Sequence, residues 1–436
     1  MKSIFTLVAF LSVAFVSTAQ TALQKCGTFD LMQQKEQQTP GYQARVNACF
    51  DNAKQLAERN KYSRAGNDTV YRVQTVFHIV YTSPNESIPD SVIFSQLEVL
   101  NEDYRRKNAD TVKTRDIFKP VAGDAGIEFY LATTDPDGNP TTGITRTAGT
   151  PGFLGFDPFS DNVKSSAAGG KDAWPTDRYL NVWVCNVFFG LGVLGYAFPP
   201  DNAPNWPSGS NTDSAKQGVV LHFPVVGRNS IAPIDPTVTR GRSLVHELGH
   251  YFGLRHIWGD GDCTEDDGLA ETPESSAANQ QTCDTLVNSC IDSLNDHPDM
   301  IENYMDYSDD RCQNMFTNDQ IGIMRAMLQS SRAGIATPVV VSSIKNDIGS
   351  FERVDVFPVP SSGIIHVRAG IKNNVTYSCE IYNVIGEKLA TATNLTPSTP
   401  SDQYHSIDLT SQPAGVYFVR FHAGSETVMK KFSLVK

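Results

Sequence analysis

Three imidazoles and one carboxylate fall within the stretch His246-Glu247-Leu248-Gly249-His250-Tyr251-Phe252-Gly253-Leu254-Arg255-His256. Histidines four apart on a helix lie one above the other on one face, so His246 and His250 can reach the same ion. Gly253 accepts backbone angles other residues disfavour, which lets the chain leave the helix and bring His256 back as a third ligand. Three protein ligands leave one tetrahedral position for water, the pattern of a catalytic rather than a structural zinc site. Zinc lowers the pKa of water and polarises a carbonyl. Glu247, next to the first ligand, is the expected general base, taking the water proton and passing it to a leaving amine.

A helix over Thr239 to Leu254 must carry this motif. Strand-like runs at Tyr71 to Tyr81, Ile127 to Ala132, Tyr179 to Val187 and Val219 to Phe223, with helical texture at Ser91 to Arg106 and Asn318 to Gln329, predict an α+β or α/β domain, a sheet with a few helices. Gly- and Pro-rich loops are expected at 133–158 and 199–213. Residues 257–314 lack periodicity and are rich in Asp, Asn, Ser and Cys. The loop Asp260 to Pro273 is dense in the hard oxygen donors that calcium favours. From residue 354 onward, short alternating runs separated by turns predict a small all-β sandwich.

The chain has 436 residues and a net charge of −12, with 40% hydrophobic residues, enough for two or three cored domains. The acidic balance argues against nucleic acid as partner. Lys2, the apolar run Ile4 to Val16 and the small residues Ser17-Thr18-Ala19 predict a secretory signal over 1–19 rather than a short membrane anchor. No other run is long enough to span a membrane. Of eight cysteines, four lie between 263 and 312. In an exported chain they read as two disulfides, in preference to a zinc site. Polar residues 20–63, with one helix expected around Gly41 to Glu58, are too small for a domain and read as a pro-segment.

The motif resembles the signature of the metzincin metallopeptidases. Asn303-Tyr304-Met305-Asp306-Tyr307 resembles their methionine turn, and His256-Ile257-Trp258-Gly259-Asp260 together with Asn303 to Phe316 resembles the pappalysin branch. The resemblance implies a catalytic domain over 64–340, a twisted mixed sheet plus the active-site helix, acting as a secreted, calcium-binding zinc endopeptidase on proteins or peptides. It implies Met305 as the base beneath the metal and Tyr307 as support for the oxyanion. Asp310 matches the acid at the floor of the S1′ pocket, implying cleavage before Arg or Lys; the other reading is a solvated loop acid or an ion ligand. Calcium is implied at Asp267, Glu271 and Thr272, although this chain has Glu271-Thr272-Pro273 where the family usually has Asp-Thr-Pro. Disulfides Cys263–Cys290 and Cys283–Cys312 are implied by family spacing.

Lys25-Cys26-Gly27-Thr28 lies just inside the expected mature end. Cys26 could hold the zinc in a latent zymogen, as the resemblance suggests, or pair with Cys49. Ser63-Arg64 resembles the family's activation point, consistent with self-processing. Cys185 and Cys379 are expected as free buried thiols. Residues 348–436 resemble the sorting domain of the type IX secretion system, on Val356 to Gly363, Ile381 to Gly386, Pro413 to Phe418 and Lys430-Lys431. That implies type IX machinery as a partner and passage through a Bacteroidetes-type periplasm to the surface or medium. A carbohydrate-binding or adhesive sandwich is the alternative for this domain. For the whole chain, the alternatives are an adhesion module with a dead metal site and a small-molecule hydrolase.

Overall fold

The computed structural model describes residues 25–61, 69–150, 155–187, 192–201, 216–228, 230, 233–291, 296–340, 351–357, 359–371, 376–384, 386–395, 405–424 and 426–435. The expected signal at 1–19 and the Ser63-Arg64 bond lie outside the described residues. Two compact units divide the chain, one reaching to Val341 and the other starting at Ser342.

The first unit is built on β1, Thr69–Tyr81, whose inner side chains are almost all buried. A strand of this length, rich in Val, Ile and aromatics, has room for two partners on each edge. Along one edge it pairs in parallel with β2, Ile127–Leu131, and then β3, Ile144–Ala148. Along the other it pairs in parallel with β4, Leu180–Cys185, and antiparallel with β7, Ala336–Val340. Beyond β4 lie β6, Val219–His222, and the antiparallel edge strand β5, Gly195–Ala197. Sequence periodicity located β1, β2, β4 and β6. It missed β3, inside the expected loop 133–158, and the short β5 and β7. Five residues or fewer of mixed polarity carry no readable alternation, and only pairing with a neighbour makes them strands.

Helix α3, Asp90–Asp103, and helix α4, Arg242–Tyr251, pack on the sheet, and every residue of α4 is buried. Helix α5, Asn318–Gln329, opens with a capping box in which Thr317 and Gln320 satisfy each other's backbone N–H groups. The N-terminal segment holds two helices, not the single one expected: α1, Thr28–Gln38, and α2, Tyr42–Lys61. Gly41, at φ +85°, makes the turn between them. Cys49, Phe50 and Ala53 of α2 belong to the same hydrophobic core as α4 and α5.

The second unit is the expected all-β sandwich. One sheet orders β11 (Lys388–Leu395), β10 (Tyr377–Asn383), β13 (Gly415–Ala423) and β14 (Glu426–Leu434); the other orders β12 (His405–Asp408), β9 (Ile364–Ile371) and β8 (Phe351–Phe357). Strands β8 and β11 were not expected. Along β13 buried and half-buried residues alternate, as a strand between a core and solvent requires. Among the described residues no helix is long and apolar enough to cross a membrane.

Candidate metal centre and active site

Helix α4 delivers His246, Glu247 and His250, and its last turn ends at Gly253, φ +91°. The chain then returns to set His256 beside them. The Nε2 atom of His250 lies 3.1 Å from that of His246 and 3.0 Å from that of His256. Each Nδ1 is committed elsewhere: His246 to the Tyr304 carbonyl at 2.7 Å, His250 to the Leu254 carbonyl at 2.9 Å, and His256 to the Asp260 carboxylate at 2.5 Å. An imidazole donating from Nδ1 presents a bare lone pair at Nε2. Three lone pairs facing one another cannot satisfy each other, and a cation between them resolves the conflict. Burial, then the neighbouring imidazoles, drive the pKa of His246 and His250 well below the ordinary value, which keeps them in the ligand form. The donor set fits zinc.

Cys26 faces the three imidazoles. Its Sγ and the three imidazole nitrogens all lie within 4.8 Å of one another. Both Cys26 and Cys49 are free thiols, so the alternative disulfide between them is not formed. Cys26 Sγ lies 3.4 Å from Glu247 Oε2, and Thr28 Oγ1 donates to the same oxygen at 3.2 Å. The second oxygen, Glu247 Oε1, is buried without a hydrogen-bond partner. Burial pushes the Glu247 carboxyl up to about 8. Burial, then the Glu247 charge, raise the Cys26 thiol well above its usual range, so the thiol ionises there only with a cation to offset the cost.

Met305 lies under α4 with its Sδ only 2.3 Å from where a Cβ on Gly249 would stand, so the glycine of the motif is a packing requirement. Tyr307 Oη donates to the Cys26 carbonyl at 3.2 Å. Burial, then the nearby Cys26, Asp260 and Glu247, raise its pKa, so it remains an O–H donor. Trp258 stacks on His256, with centroids 4.3 Å apart and planes 8° apart, and meets Tyr307 edge-on at 4.8 Å.

Asp310 is fully buried, not a solvated loop acid. Its Oδ2 accepts from the Arg240 backbone N–H at 2.9 Å, and its Oδ1 lies 3.2 Å from Lys25 Nζ. Lys25 also donates to the Ser308 carbonyl at 3.1 Å and to Gln313 Oε1 at 2.7 Å. Arg242, at the start of α4, holds the Asp310 carbonyl at 2.5 Å while bridging Asp103 and Asp110, which ties the Asp310 loop to the helix that carries the histidines. Gly27 N–H donates to the Gly195 carbonyl of the edge strand β5 at 2.9 Å. Sequence reasoning gave Lys25, Thr28, Trp258 and Gly195 no role. A cation next to the candidate thiol, set against an expected acidic pocket, was the signal that could have found Lys25.

Cys263 pairs with Cys290 and Cys283 with Cys312, with Cα atoms 5.6 and 5.8 Å apart. In the acidic loop Asp267 is buried. Its Oδ1 accepts from Thr272 Oγ1 at 2.6 Å, and its Oδ2 has no hydrogen-bond partner. Burial raises its carboxyl to about 7. Glu271 directs an oxygen to the Asp319 backbone N–H, at the first turn of α5, at 2.8 Å.

A family model described as pregnancy-associated plasma protein-A matches residues 164–329, and one described as a secretion system C-terminal sorting domain matches residues 355–435. An extracellular metalloprotease of Arthroderma benhamiae is 27% identical over 330 residues, 75% of this chain and 91% of that protein. Extracellular metalloprotease 1 of Coccidioides posadasii is 31% identical over 60% of this chain and 78% of its own length. Among solved structures, mature mirolysin of Tannerella forsythia in complex with a cleaved peptide is 40% identical, with TM-score 0.55, over 61% of this chain and 95% of that one. A promirolysin mutant from the same organism is 36% identical, with TM-score 0.61, over 72% of this chain and 97% of that one. These likenesses select the enzyme over the adhesion module and the small-molecule hydrolase, and sorting over carbohydrate binding in the second unit. The chain belongs to the pappalysin family of metalloendopeptidases and carries a type IX secretion sorting domain.

Proposed function

We propose that this is the latent form of a secreted zinc endopeptidase that cuts before Arg or Lys, with residues 20–63 as its pro-segment and 64–340 as its catalytic domain. The observation that carries the reading is Lys25 seated on Asp310 while the next residue, Cys26, points its sulfur at three imidazoles. A cationic side chain and a backbone pairing with edge strand β5 are what a bound substrate would present.

His246, His250 and His256 hold the zinc, which supplies Lewis acidity and lowers the pKa of water when bound. With Cys26 withdrawn, Glu247 Oε1 is free to accept a proton from water and carry it to the leaving amine nitrogen. Tyr307 Oη, now on the Cys26 carbonyl, donates to the developing oxyanion of a substrate. Asp310 fixes the residue after the scissile bond through its charge. Gly195 O receives the substrate's backbone N–H, as it receives that of Gly27. Asp267, Glu271 and Thr272 are the side chains we assign to calcium.

The test is mass spectrometry of a mixed protein substrate digested by the processed enzyme and by Glu247→Ala. Peptides starting with Arg or Lys, absent from the variant digest, are expected. Cuts before apolar residues would remove Asp310 from specificity, and equal digestion by the variant would remove Glu247 from the chemistry.

A further inference from the structure

The N-terminal segment packs on the rest of the first unit at two main places, and Leu31 of α1 is buried as well. Lys25, Cys26 and Gly27 fill the site. Helix α2 packs instead along α5, which contributes nothing to the metal centre. Tyr42, Val46, Cys49, Phe50 and Ala53 form a buried stripe along one face of α2, at the spacing of an amphipathic helix. Phe50 packs under the Arg255 guanidinium, 4.0 Å from ring to charge, and Arg255 also reaches Asn47 Oδ1 at 3.1 Å. Lys54 Nζ donates to the Gly268 carbonyl at 2.5 Å, and Asn60 donates to Gln329 at 2.9 Å. Gly322 of α5 leaves room for Ala57, whose Cβ would stand 3.0 Å from an added Cβ. None of these contacts depends on the chain being continuous after residue 61.

We propose that residues 25–61 remain bound after the chain is cut behind them, as a two-point inhibitor in which α2 supplies the grip and Lys25-Cys26 the block. This rests on the latency reading above. Joined by the short α1, the two contacts hold each other at a high effective concentration, so severing the far end removes neither. Activation then needs a second event that loosens α2 or cuts between the two contacts. The grip rests on Arg255 and Gly268, each one residue from a candidate ion ligand, His256 and Asp267.

The experiment uses the full chain carrying Glu247→Ala, to prevent self-digestion, and a foreign protease site placed within 62–68. After nicking, dissociation of a fluorescently labelled N-terminal fragment is followed with unlabelled fragment as chase. Two grip variants are compared with the parent: Phe50→Ala with Lys54→Ala on the segment, and Gly322→Leu on α5, whose added bulk faces α2 and leaves the catalytic core untouched. The parent should retain its fragment, and each grip variant should release it roughly 30-fold faster or more, the loss expected at an interface hot spot. Release of the parent fragment within the mixing time, or off-rates for both variants within about twofold of the parent, would overturn the proposal. Retention is read without turnover. A nicked chain with Glu247 intact that stays inactive after its fragment is washed away would therefore sink the catalytic reading and leave the retention result standing.

Discussion

Replacing Asp310 by Asn keeps the shape of the pocket floor and removes its charge. Lys25 Nζ stands 3.2 Å from Asp310 Oδ1, and its other two partners, the Ser308 carbonyl and Gln313 Oε1, are neutral. At an effective dielectric near 20, that separation corresponds to about 5 kcal/mol of attraction. Desolvation of the incoming cation offsets part of it, and buried Asp306 supplies a second, weaker source of negative charge. A net loss of about 2–4 kcal/mol remains, roughly 30- to 1000-fold in kcat/KM for substrates with Arg or Lys after the cut. Substrates with Leu or Ala there should change less than about threefold. The same substitution unseats Lys25, so the unprocessed chain should leak activity on apolar substrates. Paired fluorogenic peptides differing only at that residue measure the ratio. An unchanged Arg-to-Leu ratio would refute the assignment of Asp310 and the reasoning from Lys25.

Cys26→Ser should give measurable peptide hydrolysis before any processing, because a neutral hydroxyl is a poorer zinc ligand than a thiolate; a variant as silent as the parent would show that the block lies elsewhere. Calcium should raise the melting temperature of the first unit by several degrees in the parent and not in Asp267→Asn, since RT ln(1 + [L]/Kd) at about 100 times Kd is worth about 2.7 kcal/mol; an equal shift in both would place the ion away from Asp267. His78 and His222 are buried, and burial lowers both to about 4 from 6.5. The folded state therefore takes up fewer protons than the unfolded one below pH 6.5, and stability is lost as pH falls toward 4. Between pH 7 and 4.5 each should cost about 2–3 kcal/mol in urea titrations, and His78→Asn should remove one such increment.

The sequence alone singled out the three imidazoles that the fold brings together, because helical geometry fixes what His246 and His250 can share and Gly253 announces the turn to His256. It determined the long, strongly patterned elements such as β1 and α5, whose alternation or capping box is local. It also implied, through resemblance, Met305 beneath the helix, where Gly249 makes room for it. Only the tertiary structure decided what faces the three imidazoles from the far end of the chain. Cys26 and Lys25 stand more than two hundred residues from Glu247 and Asp310, and no local pattern states whether an uncommitted cysteine will pair with a second thiol or face the imidazoles. The same holds for β3, β5 and β7, which become strands through a neighbour's hydrogen bonds. It holds too for Glu271, engaged at the start of α5. The spacing of residues can specify a site that one helix and its turn build, whereas a pocket floor and its occupant meet only when distant segments pack.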